Sequence, residues 1–81
     1  MATVTITGAF RQYTGGVATA EIEAANVRQL LQRLGEKFPE LAPHLVQGFA
    51  VAIDGQIFQD ALLQPVPPGA DVFIMPALAG G

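Results

Sequence analysis

One stretch of helical periodicity, with two-residue alternation before and after it, limits this chain to few architectures. Between Asn26 and Phe38, apolar residues Val27, Leu30, Leu31, Leu34 and Phe38 recur at intervals of three and four. That spacing places them on one stripe of a helix. Asn26 is a good N-cap residue, and Gln29 three positions later completes a capping-box-like pair. Arg28, Gln29, Gln32, Arg33, Glu36 and Lys37 face outward, and Pro39 stops the helix. An isolated amphipathic helix must bury its stripe against something, and the rest of the chain reads as strands.

Thr3 to Thr7 alternate strictly, with Val4 and Ile6 directed inward and the threonines outward. Val17 to Glu23 resumes the period of two after the Gly15-Gly16 turn, with Ala18, Ala20 and Ile22 on one face. These two strands form a hairpin with a moderately long loop. After the helix, Glu40 to Gln47 reads as a loop or short helical turn anchored by Leu41 and Leu45. Phe49 to Asp54 is a third strand, Asp54-Gly55 a two-residue hairpin turn and Gln56 to Phe58 a short fourth strand. A proline-rich crossing, Gln59 to Gly69, leads to a last strand, Asp71 to Met75, ended by Pro76. Val72 and Ile74 lie on one face of that strand, Phe73 and Met75 on the other. The order strand, strand, helix, strand, strand, strand predicts an α+β fold of β-grasp type. In it a mixed sheet of four to five strands carries one main helix across one face. The expected organisation is one domain, residues 1–76, followed by a flexible tail, residues 77–81.

With 81 residues, the chain has room for one core but not for a deep cleft with its own walls. Its apolar fraction of 51% and charged fraction of 14% exclude disorder and leave apolar groups at the surface, the usual mark of a partner. Four basic residues against a net charge of −3 give no basic stripe, so nucleic-acid binding is not expected. No apolar run reaches the length of a membrane span, and the N-terminus has no signal-peptide pattern, so a cytoplasmic location is expected. Cysteine and serine are absent, which removes thiolate metal sites and two common nucleophiles. His44 is the single histidine and reads as a surface residue. Glu21 and Glu23 read as a solvated strand edge, Asp54 as a turn residue, and Asp71 as serving the loop before the last strand. Gly8, Gly15 and Gly16 lack the following Lys-Ser or Lys-Thr of a phosphate loop. No metal site and no enzyme active site are expected.

The remaining chemistry is at the end of the chain. Ala77, Leu78, Ala79, Gly80 and Gly81 follow the last strand. Two glycines carry no Cβ, so such an end can enter a channel too narrow for side chains, or it can be a frayed terminus. A free carboxylate at Gly81 is a poor acyl donor, but joined to AMP it becomes a mixed anhydride open to a sulfur nucleophile. The product is a thiocarboxylate. Phe73 and Met75 are exposed and available for docking if the helix covers Val72 and Ile74, unless a loop covers them. Arg11 pairs with an acidic partner group or is a plain surface arginine.

The run from Asp71 through Phe73, Met75, Pro76, Ala77, Leu78 and Ala79 to Gly80-Gly81 resembles the end of MoaD/ThiS proteins, the MoaD branch above all. The Asp54-Gly55 hairpin, the Pro68-Gly69-Ala70-Asp71 turn and Arg11 also look like that family, and the element order matches over essentially the whole chain. Ala77 stands where a second proline is usual. The resemblance implies a ubiquitin-like sulfur carrier. Its Gly81 carboxylate would be adenylated by a MoeB/ThiF-type adenylyltransferase and converted by a persulfide donor to a thiocarboxylate. Phe73, Met75, Pro76, Leu78, Ala79 and Arg11 would bind partners, and Gly80 would accompany Gly81 into their active sites. ATP and zinc would belong to the activating enzyme, with no cofactor held stably by this chain. The large subunit of molybdopterin synthase would accept the sulfur for molybdenum cofactor biosynthesis. Thiamine, cysteine, tRNA thiolation and secondary metabolites are alternative destinations. Two other classes stay open: a protein modifier joined to lysines, and a binding domain that uses only its sheet face.

Overall fold

The computed structural model describes residues 1–45, 49–59 and 61–76. Five strands form one mixed sheet: β1 (Ala2–Ile6), β2 (Thr19–Ile22), β3 (Phe49–Ile53), β4 (Gln56–Gln59) and β5 (Asp71–Pro76), in the order β2-β1-β5-β3-β4. Three helices accompany them: α1 (Gly8–Arg11), α2 (Val27–Lys37) and α3 (Ala42–Leu45). β1 and β5 run parallel at the centre, and every other pairing is antiparallel. This is the expected β-grasp.

The alternation of the sequence becomes the two faces of the sheet. Val4, Ile6, Val51, Ile53, Val72 and Ile74 are buried on the face that α2 covers. Val27, Leu30 and Leu34 of α2 complete that core, with Leu31 and Phe38 half-buried at its margin. Removing one such fully buried leucine or isoleucine side chain costs about 2–5 kcal/mol. The core is therefore the part of the molecule least tolerant of change.

Local chemistry fixes the ends of α2. Asn26 Oδ1 accepts from the Gln29 amide at 2.8 Å, and Gln29 Oε1 accepts from the Ala25 amide at 2.8 Å. The reciprocal bond thus reaches one residue before the cap, not the cap's own amide. At the other end α3 closes against α2 at Gly35. A Cβ there would lie 3.0 Å from the Ala42 Cβ, so this helical position takes glycine because of the close approach. Leu41 and Leu45, the expected anchors, are buried beneath α3.

The connection between β1 and β2 differs from the simple loop expected. It contains α1, a single turn that buries Phe10. Only one buried apolar residue marks that turn, too few to produce a period. β2 also starts at Thr19, and Val17 is left exposed.

Candidate functional site

β5 is the element from which residues 77–81 continue in sequence, and its position in the sheet sets the site. It is held on both sides. Val72, Phe73 and Ile74 pair with Val4, Thr5 and Ile6 of β1, while Phe73 to Pro76 pair with Ala52 to Phe49 of β3. At its far end the Thr7 amide and Thr7 Oγ1 both donate to the Ile74 carbonyl, at 3.2 and 2.9 Å. The backbone is thus fixed up to Pro76, which still pairs with Phe49.

Arg11 stands at this same end. Thr7 caps the turn of α1 with its carbonyl, which accepts from the Phe10 and Arg11 amides. The turn brings the Arg11 side chain back over β1, where Nε donates to the Ile6 carbonyl at 2.9 Å. Ile6 is the register partner of Ile74. The guanidinium is therefore anchored by one nitrogen beside the end of β5, while the residue stays exposed to solvent. The other three basic residues, Arg28, Arg33 and Lys37, all lie on α2.

The face of the sheet away from α2 carries the other candidate residues. Phe73 is 44% exposed, and Met75 is half-buried. Phe73 is opposite Thr5 on one side and Ala52 on the other, and Ala52 is opposite Ile57. Ile57 is 56% exposed. A row of side chains, Thr5–Phe73–Ala52–Ile57, thus crosses the open face with small Ala52 between two large apolar groups. Sequence reasoning did not single out Ile57. The signal was present: the two-residue turn forces Ile53 opposite Gln56, hence Ala52 opposite Ile57. The acidic residues border this row. Glu21 accepts from Thr3 Oγ1 at 2.9 Å, and Asp71 and Asp54 join the β5 start to the β3–β4 turn.

Of the residues expected to carry function, Phe73 and Met75 lie on the open face of the sheet, and Pro76 and Arg11 lie at the end of β5. Leu78, Ala79, Gly80 and Gly81 lie outside the described residues. His44 is half-buried instead of lying free on the surface: its ring stacks on Tyr13, centroids 3.7 Å apart and planes 18° from parallel. Among the described residues, no three of His, Cys, Asp and Glu are grouped so as to hold a metal ion. No helix among the described residues is long and apolar enough to cross a membrane.

A β-grasp body with an apolar face beside its last strand is the architecture of a ubiquitin-like domain. The ThiS family model matches residues 4–81, so this chain belongs to the ThiS family of small ubiquitin-like sulfur carriers. Solved structures agree in fold. A chain of the Amycolatopsis orientalis BexX/CysO complex superposes with a TM-score of 0.83 at 26% identity, covering all of both chains. Small archaeal modifier protein 1 of Methanosarcina acetivorans gives 0.78 at 17% identity, covering 99% of this chain and 95% of that one. A putative molybdopterin converting factor subunit 1 of Pyrococcus furiosus gives 0.75 at 21% identity, covering 95% and 97%. No match is found among curated proteins.

Proposed function

We propose that this chain carries sulfur as a thiocarboxylate on Gly81 and delivers it to molybdopterin synthesis, acting as co-substrate without an active site of its own. In the first step a Gly81 carboxylate oxygen attacks the α-phosphorus of ATP on a MoeB/ThiF-type enzyme, and pyrophosphate leaves. The terminal sulfur of a persulfide then attacks the acyl carbon and AMP leaves. A thiol cleaves the resulting acyl disulfide, releasing the thiocarboxylate and forming a new disulfide on the donor side. The carbonyl chemistry uses groups of the partners. This chain contributes a body that they can grip and an end without side chains. Gly80 shares that second role, and Leu78 and Ala79 bind within the partner's channel.

The observation that carries this reading is the row Phe73–Ala52–Ile57, held on strands that also fix the root of the tail at Pro76. Docking there places the tail at a set distance and direction from the partner's active site, which converts part of the encounter into an intramolecular step. Burying Phe73 or Ile57 contributes roughly 1.5–3 kcal/mol each before association costs. Phe73, Met75 and Pro76 form the docking surface with Ile57, and Arg11 meets a carboxylate on the partner. The likeness to a chain of the BexX/CysO complex supports docking on a second protein. It also favours a second destination, in which the sulfur goes to cysteine or a secondary metabolite and not to molybdopterin. Conjugation to lysines is the reading favoured by the likeness to the archaeal modifier.

Incubation with candidate large synthase subunits tests the destination. Transfer of sulfur from the thiocarboxylate to a pterin precursor supports molybdopterin. Transfer only with a cysteine-forming or metabolite-forming acceptor redirects the proposal, and Gly-Gly remnants on lysines of other proteins replace it.

A further inference from the structure

Two connections of the chain meet at the end of β5. In the sheet β5 lies between β1 and β3. β1 is parallel to β5, so the chain that leaves β1, through Thr7 into α1, emerges at the end where Pro76 lies. β3 is antiparallel, and its first residue, Phe49, is the register partner of Pro76. α3 ends at Leu45, shortly before it. Phe10 of α1 and Leu41 and Leu45 at α3 all enter the core that α2 covers. The two connections are joined directly: Tyr13, just after α1, stacks on His44 of α3, ring centroids 3.7 Å apart. Both residues are half-buried. The mechanism proposed above uses neither.

Tyr13 and Arg11 belong to one tightly bonded turn. The Tyr13 amide donates to the Phe10 carbonyl at 3.0 Å. The Arg11 carbonyl accepts from the Thr14 amide at 3.1 Å and from the Gly16 amide at 3.0 Å. Buried Thr14 adds its hydroxyl, 3.1 Å from the same carbonyl. A shift of the Tyr13 ring therefore carries the Arg11 backbone with it. That backbone decides whether Arg11 Nε reaches the Ile6 carbonyl, 2.9 Å away. Arg11 is itself exposed, so this single bond competes with water and contributes little on its own. Holding a long, mobile side chain in one arrangement also costs conformational entropy.

We infer that Tyr13 and His44 are positioning residues for Arg11. Their stack fixes the turn against α3 and so holds the guanidinium at the end of β5 before any partner arrives. The inference rests on the role given to Arg11 above, that of meeting a carboxylate on the partner. Two flat rings with few rotatable bonds suit this task, because they supply contact area at a small entropy cost. A guanidinium already held in place loses less freedom on binding, and that saving appears as affinity. Neither ring needs to touch the partner. Their effect passes through Arg11 alone, and this separates positioning from docking.

Two measurements on the full chain test this. The first needs no partner: exchange of the Arg11 Nε–H with solvent, followed by NMR at fixed pH. It should be faster in His44→Ala and in Tyr13→Ala, two variants that break the stack from opposite sides, and should return toward the parent rate in His44→Phe, which restores a ring. The second is the affinity for a MoeB/ThiF-type adenylating enzyme. His44→Ala should weaken it about 3- to 10-fold, the range that one aromatic pair commands, and His44→Phe should recover most of the loss. In an Arg11→Ala background, His44→Ala should cause no further loss. Exchange unchanged in both alanine variants, no recovery in His44→Phe, or losses from His44→Ala and Arg11→Ala that add in full would each overturn the inference. Faster exchange together with full binding by Arg11→Ala would instead overturn the partner role of Arg11, a failure that the exchange measurement keeps apart from a failure of the stack.

Discussion

Asp54 and Asp71 hold the β3–β4 turn to the start of β5 through two reciprocal bonds. The Asp71 amide donates to Asp54 Oδ1 at 3.0 Å, and the Asp54 amide donates to the Asp71 carbonyl at 2.9 Å. Asp54 also sits at φ 49°, a conformation that asparagine and aspartate tolerate and most residues avoid. Asp54→Ala should lose about 1–3 kcal/mol of stability, combining the lost acceptor with the strain of a left-handed alanine. Asp54→Asn keeps both acceptor and conformation and should stay within about 0.5 kcal/mol of the parent. Urea unfolding distinguishes the two.

Adjacent residues of β5 should respond in opposite ways. Ile74 is fully buried, so Ile74→Ala should cost about 2–5 kcal/mol of folding stability. Phe73 is 44% exposed, and Phe73→Glu should change stability by less than about 1 kcal/mol. The same Phe73→Glu change should weaken binding to the adenylating partner roughly 10- to 100-fold, the equivalent of about 1.5–3 kcal/mol. Unfolding of the Phe73 variant would show that the ring is core and that the docking face lies elsewhere.

Arg11 offers a test of geometry separate from charge. Nε, a nitrogen that lysine does not have in that position, anchors the side chain to the Ile6 carbonyl. Arg11→Lys should therefore weaken partner binding nearly as much as Arg11→Ala, with little effect on unfolding by urea. Full binding by the lysine variant would show that a positive charge alone suffices.

Gly35 sets two effects against each other. Alanine improves helix propensity by about 1 kcal/mol, yet its methyl would sit 3.0 Å from the Ala42 Cβ. Overpacking costs about 1–3 kcal/mol, so Gly35→Ala should be net destabilising. Adding Ala42→Gly should recover most of the loss in a double-mutant cycle. A Gly35→Ala variant more stable than the parent would mean that α3 gives way freely.

The fold was readable where physics is local. Val4 and Ile6 alternate with threonines, Val27 to Phe38 repeat at helical spacing, and Asp54-Gly55 names its own turn. Each of these signals survives in the structure. What escaped depends on few residues or distant ones. α1 buries only Phe10, and one buried apolar residue makes no period. The stack of Tyr13 on His44 joins residues 31 positions apart, which no local pattern encodes. At the candidate site, Phe73 was placed by alternation within its own strand. Ile57 required the register of a neighbouring strand and was missed. The Arg11 anchor on Ile6 was also invisible, because it arises from a turn that the sequence did not reveal.

The central claim is that Gly81 carries the sulfur. Its most direct test is the intact mass of the chain after incubation with a MoeB/ThiF-type enzyme, ATP and a persulfide source, beside a variant lacking Gly81. The account expects the parent to gain the mass difference of sulfur replacing oxygen, with fragmentation locating it at the C-terminus, and the truncated chain to remain unchanged while still folded. An unmodified parent, or a shortened chain modified equally well, would contradict it.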